Sequence, residues 1–142
     1  MHCTVAAVSR SVDRWQTIVL NSAQGNEGSD ALLTSPASTT QAITVGATDI
    51  TDSMASYSNF GVVVDIFAPG SDVTSTWLDG NYKVLSGTSM ATPAVAGLVA
   101  YFLNTIGKPT TPAEMKDHIE ELATRGALKN IRMRSLVAVV LF

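Results

Sequence analysis

Short apolar runs separated by polar turns dominate the first half of the chain. TIVL at 17–20, AITVGA at 42–47 and VVVDIFA at 62–68 are compact and rich in β-branched residues. Such runs are typical of strands buried in a parallel sheet. Residues 9–16 are compatible with the end of a helix that precedes the first run. The pattern therefore predicts a central sheet built from at least these three segments.

A tight hairpin is predicted in the middle of the chain. VTSTW and YKVLS flank the sequence LDGN at 78–81, and Asp-Gly is a strong signal for a turn between two paired strands. We therefore expect a β-hairpin over 73–86, which leads directly into the sequence GTSMATP at 87–93.

Two helices are predicted after this hairpin. The first, at about 89–104, has apolar residues almost all the way round, so we expect it inside the protein. The second, at about 112–123, has Thr111 as its cap, Pro112 at its first position and Glu114 in its first turn. Strands that alternate with helices predict an α/β fold with a mostly parallel sheet. The apolar end of IRMRSLVAVVLF is compatible with a strand or an unpaired tail.

Composition and charge narrow the possible functions. A chain of 142 residues is long enough for one domain. Its net charge of −3 offers no basic patch for nucleic acid. The longest apolar run, AVAGLVAYFL, is shorter than the roughly 20 residues that span a bilayer, so no membrane partner is expected. Cys3 is the sole cysteine and excludes an internal disulfide. The first residues lack the pattern of a signal peptide.

The sequence GTSMATP places a serine at the open end of the first helix. Backbone N–H groups in a first turn have no helical acceptor, so Ser89 would lie beside a small positive pole that stabilises an anion. Gly87 permits a tight turn into the helix. Pro93 lies close enough to the start of the helix that its missing N–H destabilises the helix little. The alternative is that Thr88 or Ser89 serves only as an N-cap.

GTSMATP followed by an apolar helix resembles the nucleophile segment of the subtilisin-like serine proteases, peptidase family S8. It differs from the G-x-S-x-G elbow of α/β-hydrolases because Ala91 replaces the second glycine. The resemblance covers about residues 17–130 and is closest to the proteinase K-like branch, whereas 1–16 and 131–142 are atypical. Further segments resemble the family in the same order: AQGNEG at 23–28, SPAS and ITVGATD within 35–49, ASYSNFG at 55–61, DIFAPG at 65–70 and STW at 75–77.

The resemblance implies the three-layer subtilisin-like fold, present here as its C-terminal portion, and a secreted endopeptidase that acts on polypeptides. Ser89 would be the nucleophile. Asn26 would be the oxyanion donor, because a fixed amide can stabilise the negative charge that acyl transfer builds on the carbonyl oxygen. The alternative for Asn26 is a turn residue chosen for its tolerance of left-handed geometry.

The resemblance also implies a substrate pocket and a structural calcium ion, with no cofactor needed for catalysis. The pocket positions are Ala23, Gln24, Gly25, Thr34, Ser35, Pro36, Gly87 and Thr88. Gln24 replaces the small residue usual at its position. Calcium would be bound by the Asp65 carboxylate and the carbonyls of Thr40 and Ala42, since hard cations prefer oxygen ligands. The alternative is that Asp65 caps a loop.

The family's Asp and His segments, which supply the base and its orienting group, are not found in this sequence. The histidines are His2 and His118, and neither has a flanking family pattern. Ala94 stands where the family usually has His. We therefore expect a C-terminal portion of a serine endopeptidase that is inactive alone and whose partner is the missing N-terminal half. The rival hypothesis is a non-catalytic remnant or a calcium-binding or interaction module.

Overall fold

A computed structural model of the chain describes residues 5–12, 15–35, 38, 42–106 and 110–132. Six strands and two helices are assigned in these ranges. The strands are β1 (Val5–Val12), β2 (Trp15–Ala23), β3 (Ala42–Thr48), β4 (Ile66–Pro69), β5 (Val73–Thr76) and β6 (Tyr82–Leu85). The helices are α1 (Thr88–Thr105) and α2 (Pro112–Leu122).

The main sheet has four strands in the order β1-β2-β3-β4. β2, β3 and β4 run parallel to one another, whereas β1 is antiparallel to β2. β5 and β6 form a separate antiparallel pair. The predicted α/β fold with a mostly parallel sheet is therefore confirmed.

Helix α1 packs along one face of this sheet and forms the main core with α2. Successive side chains of a strand point to opposite faces, so Ile43, Val45 and Ala47 all point toward the helices. They meet Val95 and Val99 of α1 in one buried cluster. Burial of these apolar groups is the main force that holds α1 on the sheet.

The opposite face of the sheet is covered by the segments that connect its strands, in the part of the chain that the structure describes. Phe67 of β4 is 1% exposed and packs with Ala31, Met54 and Val64 from the connections that follow β2 and β3. This second cluster fixes the connection after β2 against the sheet. That connection contains Asn26.

Two predicted boundaries are wrong. Residues 9–12 and 15–16 do not end a helix, because they belong to β1 and to the start of β2, whose register closes with Val12 opposite Trp15. Residues 13 and 14 of the predicted segment lie outside the described residues. Ladder hydrogen bonds to β2 override a weak local helical pattern. The run at 62–68 is a strand only from Ile66 onward, since Gly61 has φ +120° and Val64 donates to its carbonyl in a turn.

The remaining elements match the prediction with one correction. The hairpin is formed by β5 and β6, and Asp79 and Gly80 both adopt positive φ in its turn. Helix α2 begins with the predicted cap, in which Thr111 and Glu114 form a reciprocal capping box. Helix α1, however, is buried on one face only; Tyr101 on the other face is 62% exposed.

The helices of the described ranges also bear on the membrane prediction. None of them has both the length and the apolar character that crossing a bilayer requires. The end of the predicted closing segment, 133–142, lies outside the described residues.

Candidate active site

The serine turn lies where the hairpin meets α1. Strand β6 ends at Leu85, Gly87 is the N-cap position, and Ser89 is the second residue of α1. The Ser89 residue is half-buried. In the first turn of a helix its backbone N–H has no helical acceptor, so this donor is free to face a bound group.

A close backbone approach fixes the turn to the end of strand β4. The Gly87 N–H donates to the Gly70 carbonyl at 2.8 Å, and the Gly70 N–H donates to Thr48 at the end of β3. A Cβ atom added to Gly70 would lie 2.8 Å from the Gly87 oxygen and 2.6 Å from the Ala47 Cβ. Both distances are too short, so this approach requires glycine at position 70.

The Asn26 side chain reaches the same turn from the end of strand β2. Its Oδ1 accepts hydrogen bonds from the Thr88 N–H at 2.9 Å and from the Thr88 hydroxyl at 3.0 Å. A Cβ atom at Gly87 would lie 3.3 Å from the Asn26 Nδ2. The amide is therefore held beside the residue that precedes Ser89. Its Nδ2 group, which donates to no described residue, is left as a donor.

Asn59, which is not among the predicted site residues, fixes the backbone on both sides of Asn26. Its Oδ1 accepts from the backbone N–H groups of Glu27 and Ser29, each at 3.0 Å. Its Nδ2 donates to the Gln24 carbonyl at 2.9 Å. Asn59 is fully buried, so each of these bonds replaces solvation that the side chain has lost. In the sequence Asn59 stands before Phe60-Gly61, but the backbone groups that its side chain binds are 30 or more residues away and produce no local sequence pattern.

The same side chain brings the two predicted pocket segments together. The Asn59 Nδ2 lies 2.9 Å from the Gln24 carbonyl oxygen and 3.5 Å from the Thr34 hydroxyl. Gly25 is close to the serine turn through its carbonyl, which accepts from the Thr88 hydroxyl at 3.5 Å. Ala23 is buried at the end of β2 and Ser35 is exposed, while Pro36 lies outside the described residues.

The Gln24 side chain points into the interior. It is 0% exposed, and its Nε2 donates to the Ser58 hydroxyl at 2.6 Å and to the Asn59 carbonyl. Its Oε1 has no hydrogen-bond partner among the described residues. A Cβ atom at Gly46 would lie 2.6 Å from this Nε2. If Gln24 contributes to the predicted substrate pocket, its backbone atoms do so, because its side chain is buried in the interior.

No described histidine can reach Ser89. The His118 ring packs edge-on against Phe102, with ring centroids 4.9 Å apart and an interplanar angle of 72°. Phe102 follows Ser89 by thirteen residues on α1, which corresponds to about 20 Å along the helix axis. This distance rules out proton transfer between His118 and Ser89. His2 lies outside the described residues.

Of the predicted calcium ligands, the Asp65 carboxylate contacts groups of the chain itself. The Asp65 Oδ1 lies 2.6 Å from the Lys116 ammonium, and its Oδ2 accepts from the Thr44 N–H at 2.8 Å. Ala42 is the first residue of β3, and Thr40 lies outside the described residues. No group of three or more His, Cys, Asp or Glu side chains within the described ranges could hold a metal. The Lys116 ammonium thus occupies one oxygen of the Asp65 carboxylate, and the calcium site stays a prediction because Thr40 lies outside the described residues.

Comparison with known families gives a match over most of the chain. The Peptidase S8 family, described as the subtilase family, matches residues 4–135. Proteinase T from Parengyodontium album is 65% identical over 81 residues, which cover 57% of this chain and 28% of that protein. The cuticle-degrading protease of Metarhizium anisopliae is 49% identical over 129 residues, which cover 87% of this chain and 33% of that protein.

A solved structure shows the same fold. The crystal structure of a cold adapted subtilisin-like serine proteinase superposes with a TM-score of 0.78 at 42% identity and covers 84% of this chain and 43% of that chain. The chain thus spans less than half of that structure and about a third of the curated relatives.

The role of Asn59 predicts a local effect on backbone exchange. Asn59→Ala should accelerate hydrogen exchange of the Glu27 and Ser29 amides by about 10- to 100-fold, because loss of a buried partner costs about 1–3 kcal/mol. The Ala55 amide, which donates to Ala47 in the core, should change less. Exchange is measured by amide-resolved NMR or mass spectrometry.

Asn81→Ala is the matched control for this experiment. Asn81 is an exposed hairpin residue whose side chain makes a single long contact, at 3.5 Å, with the Leu78 carbonyl. Its loss should leave the Glu27 and Ser29 amides unchanged. Equal exchange at Glu27 and Ser29 in the parent and Asn59→Ala proteins would contradict the positioning role.

Proposed function

Because the chain belongs to the subtilase family of serine peptidases, we propose that it carries the nucleophile and oxyanion donor of a serine endopeptidase that cleaves polypeptides. Ser89 is the nucleophile, and Asn26 donates to the oxyanion together with the Ser89 N–H. The observation that supports these roles is the pair of hydrogen bonds from Thr88 to the Asn26 Oδ1. They hold the Asn26 amide, from the connection that follows β2, at the open end of α1.

The proposed reaction is acyl transfer to Ser89. The Ser89 oxygen forms a bond to the scissile carbonyl carbon, its proton passes to a base, and the carbonyl π electrons move to the oxygen, which becomes an anion. Donors fixed before the reaction stabilise that charge without the cost of reorientation. The C–N bond then breaks, and the leaving amine takes the proton from the base.

We propose that the base and its orienting carboxylate come from the part of the family domain that this chain does not span. A serine hydroxyl is a weak nucleophile without an adjacent base. The one histidine in the described ranges, His118, packs against Phe102, which lies about 20 Å from Ser89 along the axis of α1. The N-terminal half of such a domain is therefore the proposed partner of this chain.

The proposed substrate-binding surface lies beside the oxyanion donor. It combines the segment Ala23–Gly25 with Thr34, Ser35 and Pro36, and the turn residues Gly87 and Thr88 complete it. The contacts of Asn59 with the Gln24 carbonyl and the Thr34 hydroxyl support this assignment, because they place the two segments side by side.

An extracellular location is part of the proposal. One relative is described as a cuticle-degrading protease, and cuticle is a substrate found outside the cell that secretes the enzyme. The test is to assay the culture medium of the producing cells for this protein, which should be found there.

A non-catalytic remnant is the second candidate function. The position of His118 favours it, because this residue of α2 packs against Phe102 on the far half of α1 and the described residues then hold a nucleophile without a base. In this case the segment would keep the fold and its interaction surfaces, and no turnover would appear in any assembled form.

The first test replaces the matching segment of Proteinase T with this chain. Ser89→Ala in that chimaera should abolish peptide hydrolysis while the circular dichroism spectrum stays unchanged, because Ser89 is only half-buried and the change removes a single oxygen atom. A fluorophosphonate should label Ser89. Label on another residue, with Ser89→Ala still active, would contradict the assignment.

The second test concerns the oxyanion donor in the same chimaera. Asn26→Leu should lower kcat by about 10²–10³ with little change in KM, a magnitude measured for an oxyanion-hole donor of subtilisin. An equal-sized effect on KM alone would assign Asn26 to ground-state binding. Asn81→Leu on the exposed hairpin turn serves as the control and should leave both constants unchanged.

The third test uses the 142-residue chain alone. It should show no measurable turnover of a chromogenic peptide, because loss of the base forfeits most of the rate that triad members supply together. Only a residual rate from the oxyanion donors is expected. Robust turnover that is lost in both Ser89→Ala and His118→Ala would show that His118 acts as base and that the proposal is wrong.

A further inference from the structure

Asp65 is a buried carboxylate with a cation supplied by the chain itself. The residue is 8% exposed, and the Lys116 Nζ lies 2.6 Å from its Oδ1. Lys116 belongs to α2, whereas Asp65 directly precedes β4. The ion pair therefore joins the second helix to the sheet.

Strand β3 holds the carboxylate in place from the other side. The Asp65 Oδ2 accepts from the Thr44 N–H at 2.8 Å, and the Asp65 N–H donates to the Thr44 carbonyl at 3.0 Å. The position of the acid is therefore set by the backbone of β3. The side chain cannot turn toward solvent without losing a bond to a buried strand.

The surroundings favour a cation beside the ionised form of Asp65. Burial raises the pKa of Asp65, while the Lys116 ammonium and the Thr44 N–H act in the opposite direction. Glu120 adds negative charge nearby: burial raises the pKa of Glu120 first, and the charge of Asp65 raises it further. An ionised buried acid without a cation would be strongly destabilising.

We propose that the Lys116 ammonium serves as a built-in counter-ion at the position where a divalent cation would otherwise neutralise Asp65. This segment is therefore stabilised without calcium. A lysine suits this role because its ammonium is a compact point charge on a flexible stem. The inference does not depend on catalysis, and its tests use no activity readout.

The occupied carboxylate explains why the two cations exclude each other. A calcium ion needs several oxygen ligands within about 2.3–2.6 Å, and the Lys116 Nζ already lies 2.6 Å from one Asp65 oxygen. Two cations cannot share that oxygen at those distances without strong repulsion. Removing the ammonium should therefore open the site to calcium.

The test is the calcium response of the melting temperature for the 142-residue chain. The parent Tm should be the same in calcium chloride and in chelator. Lys116→Met should lower Tm by about 10 °C in chelator, because it leaves a buried charge unpaired. Saturating calcium should then restore at least about 5 °C of this loss.

Two control variants separate the effect of the Lys116 charge from the effect of replacing a lysine side chain. Lys116→Arg keeps a cation and should stay insensitive to calcium. Lys129→Met removes an exposed lysine whose ammonium contacts the Thr51 carbonyl at 3.3 Å, and it should change neither Tm nor the calcium response. Magnesium, which demands a stricter octahedral geometry, should restore less than calcium does.

Three results would overturn the proposal. The first is a parent protein that calcium stabilises, with the effect lost in Asp65→Asn. The second is a Lys116→Met protein that gains no calcium response. If Lys116→Met is too unstable to melt cooperatively, the double variant Asp65→Asn/Lys116→Met decides, because removal of both charges should restore a cooperative transition. A double variant no more stable than Lys116→Met alone would also contradict the pair.

Discussion

The approach of the Gly87 turn to Gly70 is the constraint on which the arrangement of the candidate site depends. One hydrogen bond of 2.8 Å joins the two backbones, and a side chain at Gly70 would collide with the Gly87 oxygen. The turn is thereby fixed to the ends of β3 and β4, and α1 must start there. Since α1 is also held by Val95 and Val99 on the sheet, the position of Ser89 follows from the fold.

Neutral hydrogen bonds to two asparagine side chains then complete the site. Asn26 joins the segment after β2 to the serine turn. Asn59 fixes the backbone on both sides of Asn26 through its hydrogen bonds to Glu27 and Gln24. An amide offers both a donor and an acceptor, so one buried side chain can satisfy backbone groups of both kinds. Positioning by fixed dipoles suits the oxyanion role proposed for Asn26, because those dipoles need not reorient during a reaction.

Local sequence signals predicted the elements that depend on local interactions. The Asp79-Gly80 turn and the Thr111–Glu114 capping box are examples, and the GTSMATP motif led to Ser89. The pairing of β1 with β2, the role of Asn59 and the ion pair of Lys116 with Asp65 were not predicted. Each joins residues through tertiary contacts, and the last two link positions 30 or more apart in the chain. α1 was expected to be buried on all sides, but it is buried on one face only. Its apolar composition does not show how many neighbouring elements pack against it.

The most direct test of the central claim is a crystal structure of the Proteinase T chimaera with a peptide phosphonate bound covalently to Ser89. The account predicts that the phosphonyl oxygen, which stands for the oxyanion, lies within about 2.7–3.1 Å of both the Asn26 Nδ2 and the Ser89 backbone nitrogen. The Asn26 Oδ1 should keep its bond to Thr88. An oxygen that points away from Asn26, or an Asn26 side chain turned so that Oδ1 faces the phosphonate, would contradict the account.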